Sequence, residues 1–110
     1  MKVHFLRLFA ATIIVPYAAF AQTATSPFTI TTFKTGWNDD TFALTSNSAI
    51  ANPANCDVPD SYAVNISSAG YKTHLAAALA AYMSGKQVVV VVSNSQCTFS
   101  RPTIIGIYLY

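Results

Sequence analysis

Residues 70–92 read GYKTHLAAALAAYMSGKQVVVVV, and this stretch decides the fold. Its apolar side chains recur at spacings of three and four residues, which is the period of an amphipathic helix. Alanine, the strongest helix former, fills most of the remaining positions. We therefore expect a helix whose core-facing stripe is made of Tyr71, Leu75, Leu79 and Tyr82 with Met83.

The second part of the same stretch marks where the helix stops and a strand starts. Gly85 follows Ser84, and glycine ends helices readily because it takes the left-handed conformation without steric cost. Lys86 then places a cation at the negative end of the helix dipole. Five consecutive valines follow, and an unbroken β-branched run after a helix stop predicts a strand over residues 87–93.

Four other segments have the alternation or the β-branched content of strands, namely residues 28–35, 41–46, 61–66 and 103–110. Proline, glycine, asparagine and aspartate predict irregular connections between them. These connections are an N-terminal segment at 23–27, a turn at 36–40, a loop at 47–60 and a turn at 94–96. A serine hydroxyl within residues 67–70 is expected to cap the helix.

Strict alternation along a strand assigns each side chain to one of two faces. In the first strand it separates Phe33 from the face that carries Phe28, Ile30 and Thr32. In the last strand it separates Ile104 from the face that carries Ile105, Ile107 and Leu109. Both faces of the last strand are largely apolar, which predicts that the strand is covered on both sides.

The order of elements is three strands, one helix and two strands. This β-β-β-α-β-β order is that of a small five-stranded Greek-key barrel of the OB type, with the helix between the third and fourth strands. A closed barrel also removes the exposed edges that so many valines and isoleucines would offer for aggregation. The alternative is an open antiparallel sheet with one helix on its face. We predict an all-β domain with one helix and an OB-like barrel.

Residues 1–21 have the features of a secretory signal peptide. Lys2 and Arg7 give a basic start, and residues 8–20 are mostly apolar. That apolar segment is shorter than the roughly 20 residues needed to span a bilayer. The sequence AFA at 19–21 matches an A-x-A cleavage site. We therefore expect an exported protein, secreted or periplasmic.

The alternative for this segment is an N-terminal anchor helix, which Pro16 and the small residues before Gln22 disfavour. Cleavage would leave residues 22–110 as a single domain. The chain has six basic and four acidic side chains, and removing Lys2 and Arg7 makes the two counts equal. A neutral domain lacks the clustered cations that nucleic acids or anionic membranes require, so we expect neither as a partner.

Cys56 and Cys97 are the only cysteines of the chain. In an exported protein they are expected to form a disulfide. The bridge would close a loop of about 40 residues, which is worth about 4 kcal/mol in the chain-entropy model. The alternative, a zinc site that includes His74, lacks the clustered spacing of zinc ligands. We predict neither a metal nor another cofactor.

The second half of the chain, residues 62–110, resembles a known family. The segment AAYMSGKQVVV at 80–90 has a helix followed by Ser-Gly-x-x-Val-x-Val, and Cys97 comes shortly after. This pattern resembles the B subunits of subtilase-type and pertussis-like bacterial toxins and their small exported relatives. The resemblance implies an OB-fold, assembly into a ring of five and recognition of cell-surface glycans. None of the glycan-contacting residues of those toxins has a matching position in this sequence.

Trp37, Asn38 and Asp39 form the candidate ligand-binding site. An aromatic face can stack on the apolar face of a pyranose, while amides and carboxylates bind its hydroxyl groups. The alternative is that Trp37 packs over the end of the barrel and covers the core. Asp39 and Asp40 can likewise form an acidic edge of a sugar site or a solvated turn.

The remaining polar candidates have structural alternatives. His74 can be considered as a general base with Asp57 or Asp60, but no nucleophile motif such as Gly-x-Ser-x-Gly accompanies it. Arg101 can pair with one of the same two aspartates across the disulfide, or can bind a ligand carboxylate. We therefore predict that the protein is not an enzyme.

Four tyrosines allow both a core and a surface interpretation. Tyr71 and Tyr82 lie at core spacing on the helix, whereas Tyr108 and Tyr110 can face a neighbouring subunit. The sequence therefore predicts a non-catalytic glycan-binding module of the toxin B-subunit type. The alternative is a small periplasmic inhibitor or structural protein that acts through protein–protein contacts.

Overall fold

The computed structural model describes residues 21–36 and 38–110. They form six strands in one sheet and one helix: β1 (Gln22–Ala24), β2 (Phe28–Gly36), β3 (Thr41–Ser46), β4 (Tyr62–Val64), α1 (Tyr71–Ser84), β5 (Gln87–Thr98) and β6 (Arg101–Leu109). The predicted signal peptide lies outside these residues apart from Ala21, and so does Trp37. Among the described residues, no helix has the length and apolar character needed to cross a bilayer.

Five of the strands close into a barrel. Each of β2, β3, β4 and β6 pairs with the next in that order, and β5 joins β6 back to β2. The pair β4–β6 is parallel, with Ala63 opposite Thr103, and the others are antiparallel. The closing pair places Phe28 opposite Val88. The predicted OB-like barrel with one helix is thereby confirmed, and the open-sheet alternative is wrong.

An additional short strand, β1, lies where an irregular segment was predicted at 23–27. It pairs with the middle of β5, with Gln22 opposite Ser93 and Ala24 opposite Val91. The Thr25 N–H then donates to the Val90 carbonyl at 2.9 Å, and the Thr25 hydroxyl accepts from the Val90 N–H at 3.1 Å. Because β2 pairs with only the first two residues of β5, the remaining edge of β5 is free to bind β1.

The valine run supplies the centre of the core. Val88, Val90 and Val92 point into the barrel and are completely buried. Around them pack the buried apolar side chains of the other strands, which include Phe28, Ile30, Phe42, Leu44, Tyr62, Val64 and Ile104. Burying each such side chain stabilises the fold by about 1.5–3 kcal/mol before conformational entropy is subtracted, so this layer dominates the stability of the barrel.

Two β-bulges correct the faces that alternation predicts. In β6, Val92 is opposite Ile104 but Val91 is opposite Gly106, so Ile105 is an extra residue. Ile104 and Ile107 therefore both point inward, whereas strict alternation separates them. A register shift in β2 has the same effect and turns Phe33 toward the core face that carries Phe28 and Ile30.

The β5–β6 hairpin is longer than predicted. The turn predicted at 94–96 is wrong, because β5 continues to Thr98 and the chain reverses at Phe99 and Ser100. Both turn residues have positive φ angles, 46° and 64°, as in the two-residue turns whose twist matches paired strands. The Ser93 hydroxyl accepts the N–H groups of Ser95 and Gln96, which supports the irregular stretch between the two regular parts of the ladder.

Helix α1 begins and ends at glycines. Gly85 takes a left-handed conformation at the C-terminus, and its N–H donates to the Ala81 carbonyl, as predicted. At the other end, the predicted serine cap is wrong. The capping residue is Gly70, with φ of 75°, and no side chain caps the first turn. The chain therefore enters α1 through a conformation that glycine adopts most easily.

Alanines, rather than the large apolar residues, form the buried centre of α1. Ala78 and Ala81 are buried, and Tyr71 and Leu75 pack beside them. The core stripe does not continue to the end of the helix as expected, because Leu79 and Met83 are exposed, Met83 at 81%. Tyr82 is also exposed, at 42%, but its ring still contacts Phe33, with centroids 6.4 Å apart. Small side chains let the helix lie close to the barrel, which leaves larger ones no room beneath it.

Candidate functional site

One end of the barrel carries a groove that we call the polar groove. Its volume is about 400 Å³. One wall is the connection between β4 and α1, and the other is the β5–β6 hairpin with the start of β6. The lining residues among those described are all uncharged: Asn65, Ser67, Ser68, Gln96, Cys97, Thr98, Phe99 and Thr103. Sequence reasoning assigned no ligand-binding role to any of these residues.

One residue of the sequence-predicted site, Asp39, lies beside this groove. Trp37 is outside the described residues, and Asn38 is exposed with φ of 68°. Asp39 is exposed, and its Oδ1 accepts the Thr41 N–H at 2.7 Å, which closes the turn before β3. Its Oδ2 accepts from Asn65 Nδ2 at 3.1 Å, so Asp39 reaches a groove residue. The structure thus places Asp39, but not Asn38, in contact with the groove wall.

The carboxylate of Asp39 is held in its ionised form. Hydrogen bonds from Thr41, and a weaker one from Asn65, keep the pKa of Asp39 below its ordinary value of 3.8. At neutral pH the ionised carboxylate of Asp39 therefore accepts hydrogen bonds from Thr41 and Asn65 and orients these two residues. The sequence suggested that Asp39 is either a solvated turn residue or the acidic edge of a sugar site. Neither interpretation is complete, because the Asp39 carboxylate supports the groove wall through its hydrogen bond with Asn65.

Asn65 organises the groove wall through its side-chain amide. Besides Asp39, its Nδ2 donates to the Thr41 hydroxyl at 2.9 Å. Its Oδ1 accepts both the N–H and the hydroxyl of Ser67, at 2.9 and 2.6 Å. The amide therefore uses its two donors and both of its acceptor positions. An Asn directly after a strand and before two serines is typical of such a turn, a signal that sequence analysis can use.

The opposite wall has hydroxyl and amide groups that can still form hydrogen bonds with a ligand. The hydroxyls of Thr98 and Thr103 are 2.8 Å apart and share one hydrogen bond. The Gln96 side chain is exposed and makes no hydrogen bond within residues 21–36 and 38–110. Phe99, at the turn, is 47% exposed and adds an aromatic ring to the groove.

The predicted disulfide is confirmed, and it fixes this wall. Cys56 and Cys97 are bonded, with their Cα atoms 5.8 Å apart. Asn52 holds Cys56 from the other side: its Oδ1 accepts the Cys56 N–H at 2.8 Å, and its Nδ2 donates to the Cys56 carbonyl at 3.0 Å. The loop before β4 is thereby attached covalently to a residue that lines the groove.

Two further contacts attach the same loop to the hairpin. Arg101 forms a two-pronged contact with Asp60, with Nε–Oδ1 of 2.7 Å and Nη2–Oδ2 of 3.3 Å. Beside it, the Val58 N–H donates to the Ser100 carbonyl at 2.9 Å. The Arg101 guanidinium keeps the pKa of Asp60 below its ordinary value. Of the two partners predicted for Arg101, Asp60 is the one found.

Tyr71 connects the β2–β3 turn to the helix. Its ring packs on Phe42 with centroids 5.7 Å apart, and its hydroxyl donates to the Asp40 carbonyl. The core interpretation of Tyr71 is confirmed. Desolvation raises the pKa of this tyrosine, and the charges of Asp40 and Asp39 add to the effect.

His74 lies in the first turns of α1 with its ring against Gly70. Burial lowers the pKa of His74, which favours the neutral ring. Within the described part of the chain, His74 makes no hydrogen bond or ion pair with a carboxylate, and Asp60 binds Arg101 instead. The structure therefore does not assemble the acid–base pair considered from the sequence.

A second cavity, of about 460 Å³, lies near the opposite ends of β2, β3 and β4. Its floor includes the stacked rings of Phe28 and Tyr62, whose centroids are 5.6 Å apart. Small residues such as Ala24, Thr25 and Ser48 make up its sides. Neither Asn38 nor Asp39 is among the described residues that line this cavity, which makes its rim a suitable place for control substitutions.

Among residues 21–36 and 38–110, no three His, Cys, Asp or Glu side chains are grouped so that they can hold a metal ion. Comparison of the chain with known protein families and with curated proteins finds no match.

Proposed function

We propose that this protein is a secreted or periplasmic, non-catalytic module that binds glycans through the polar groove. The proposal follows the resemblance of residues 62–110 to toxin B subunits. The Cys56–Cys97 disulfide supports export, because disulfides persist in oxidising compartments.

The observation that carries the proposal is the composition of the groove. Uncharged hydroxyl and amide groups line it, and one exposed aromatic ring borders it. Such a surface can bind the hydroxyl groups of a sugar and cover one apolar face of its ring. Catalysis would instead need an activated nucleophile or a tuned acid–base pair. The groove-lining residues that the structure describes contain no ionisable side chain, because Cys97 is bonded in the disulfide and does not titrate.

A glycan array probed with fluorescently labelled residues 22–110 tests the proposal. We expect binding to a restricted set of glycans, and loss of that binding in Gln96→Ala, which changes an exposed groove side chain. Ser48→Ala, at the rim of the opposite cavity, is the matched control and should bind like the wild type. If the folded protein binds no glycan on the array, the proposal is wrong.

A second candidate function is protein recognition by an inhibitor or structural protein. The exposed apolar side chains of Ile105, Tyr108 and Tyr110 favour it, at 40%, 56% and 67% exposure. Capture from a periplasmic extract distinguishes the two functions. A protein partner that is retained by Gln96→Ala but lost on Tyr108→Asp would favour this second function.

A further inference from the structure

We propose that the polar groove selects neutral, hydroxyl-rich sugars and discriminates against sugars that carry a carboxylate or sulfate. This inference rests on the proposed glycan-binding function and names the class of ligand. Two observations carry it: the hydrogen-bonding groups of the groove that can still bind a ligand, and the absence of charge among the lining residues that the structure describes.

The available groups are mixed donors and acceptors. Ser67 donates its hydroxyl proton to Asn65, so its remaining lone pairs can only accept. The Thr98–Thr103 pair shares one proton and keeps one hydroxyl donor together with acceptor lone pairs. The Gln96 amide offers two donors and an acceptor. A sugar hydroxyl both donates and accepts, and can satisfy such a set, whereas a carboxylate can only accept.

The charges around the groove also disfavour an anionic ligand. Asp39 is ionised and lies one hydrogen bond behind the wall residue Asn65. The Arg101 guanidinium binds the Asp60 carboxylate through two of its nitrogen atoms. Lys72 borders a neighbouring cleft that shares only Ser68 with the groove. A desolvated anion in the groove would therefore meet no cation among the described lining residues, and the free acceptor groups of Ser67 and Gln96 would face it without a donor.

The ring of Phe99 completes the complementarity to a neutral sugar. It lies at the groove mouth, where its exposed part can cover the C–H face of a pyranose. The disulfide at Cys97 and the Arg101–Asp60 contact hold the hairpin that carries this ring. Ordering this wall in advance reduces the entropy lost when a ligand binds.

Titration calorimetry with lactose, N-acetyllactosamine and 3′-sialyllactose tests the inference on residues 22–110. We expect the neutral sugars to bind at least about tenfold more tightly than the sialylated one. Removing a groove hydrogen bond with Gln96→Ala or Thr98→Val should weaken neutral binding by up to about tenfold. Lys72→Ala should leave binding unchanged, and raising the salt concentration should not weaken it. Thermal unfolding of each variant verifies that it is folded.

The outcomes separate the inference from the function on which it rests. Binding of 3′-sialyllactose in preference to the neutral sugars, or loss of binding in Lys72→Ala, overturns the inference and leaves glycan recognition intact. The same holds if only acidic glycans bind on the array. If no neutral or acidic glycan binds to the folded protein, both the inference and the proposed function are wrong.

Discussion

Gly70 and Gly85, which flank α1, both have left-handed backbone conformations, but their surroundings differ. A Cβ atom at Gly70 would lie 2.8 Å from Nε2 of His74, whereas nothing lies within 4 Å of the same atom at Gly85. A side chain added at either glycine would therefore strain the left-handed backbone, but only at Gly70 would it also collide with a neighbouring side chain.

We expect Gly85→Ala to lower the free energy of unfolding by about 1 kcal/mol and Gly70→Ala to lower it by somewhat more, because the His74 ring must turn aside to make room for the new Cβ atom. Urea unfolding measures both values. Adding His74→Ala to Gly70→Ala should recover part of the difference, because it removes the colliding ring. Equal effects of the two glycine substitutions would contradict the collision.

Two aspartates make the stability depend on pH in the acid range. The pKa values of Asp39 and Asp60 are lowered in the folded protein from an ordinary value of 3.8. A lowered pKa means that the unfolded chain binds the proton first. The stabilisation is therefore complete above the unfolded pKa and is lost as the pH falls through the lower, folded pKa.

We expect the melting temperature to fall steeply below about pH 4, and Asp39→Asn with Asp60→Asn to flatten this dependence. Thermal unfolding between about pH 2 and pH 6 measures it. Asp57→Asn is the control, because Asp57 makes no hydrogen bond or ion pair within the described residues. A double variant with the same acid dependence as the wild type would show that these contacts do not set it.

At the scale of elements, the disulfide joins the long loop before β4 to the groove wall. Cys56 and Cys97 are 41 positions apart, so the bridge removes a large loop from the freedom of the unfolded chain. We expect Cys56→Ala with Cys97→Ala to lower the free energy of unfolding by about 4 kcal/mol. Denaturant unfolding measures this loss. The wild-type protein unfolded in the presence of a thiol reductant, which opens the disulfide, should show the same loss. A loss below about 1 kcal/mol would contradict this prediction.

The strands show which local patterns are sufficient to predict structure. The valine run of β5 and the helix stop at Gly85 were predictable, because each depends on neighbouring residues. The bulges at Thr31 and Ile105 were not. An extra residue in a strand reverses the faces of all the side chains that follow it in that strand. Its position depends on the pairing with the neighbouring strand, which the local sequence does not contain. The faces of Phe33 and Ile104 were therefore assigned wrongly from sequence.

At the scale of the whole molecule, the exposed face of β6 predicts self-association. Ala78 and Ala81 are already buried in the core, so those two alanines are not available to pack helices of different copies together. Tyr108 and Tyr110 point away from the core. Under the proposed B-subunit-like function, we expect this face, rather than α1, to contact a second copy.

Light scattering on residues 22–110 should therefore give the mass of a ring of five chains. Tyr108→Asp is expected to reduce it to the mass of one chain, because it places a charge in the contact. Met83→Asp, on the exposed side of α1, is the matched control and should leave the ring intact. A wild-type protein that is monomeric at all concentrations would contradict the toxin-like assembly.

The amino-acid sequence by itself determined the order of the helix and the five barrel strands, the helix end, the core strand and the cysteine pair. Each of these follows from residue type and local spacing, or from there being only two cysteines. Only the tertiary structure decided the β1 pairing, the two bulges and the polar groove. Asn65 and Thr98 are far apart in sequence, and they line one groove because closing the barrel brings the end of β4 beside the β5–β6 hairpin.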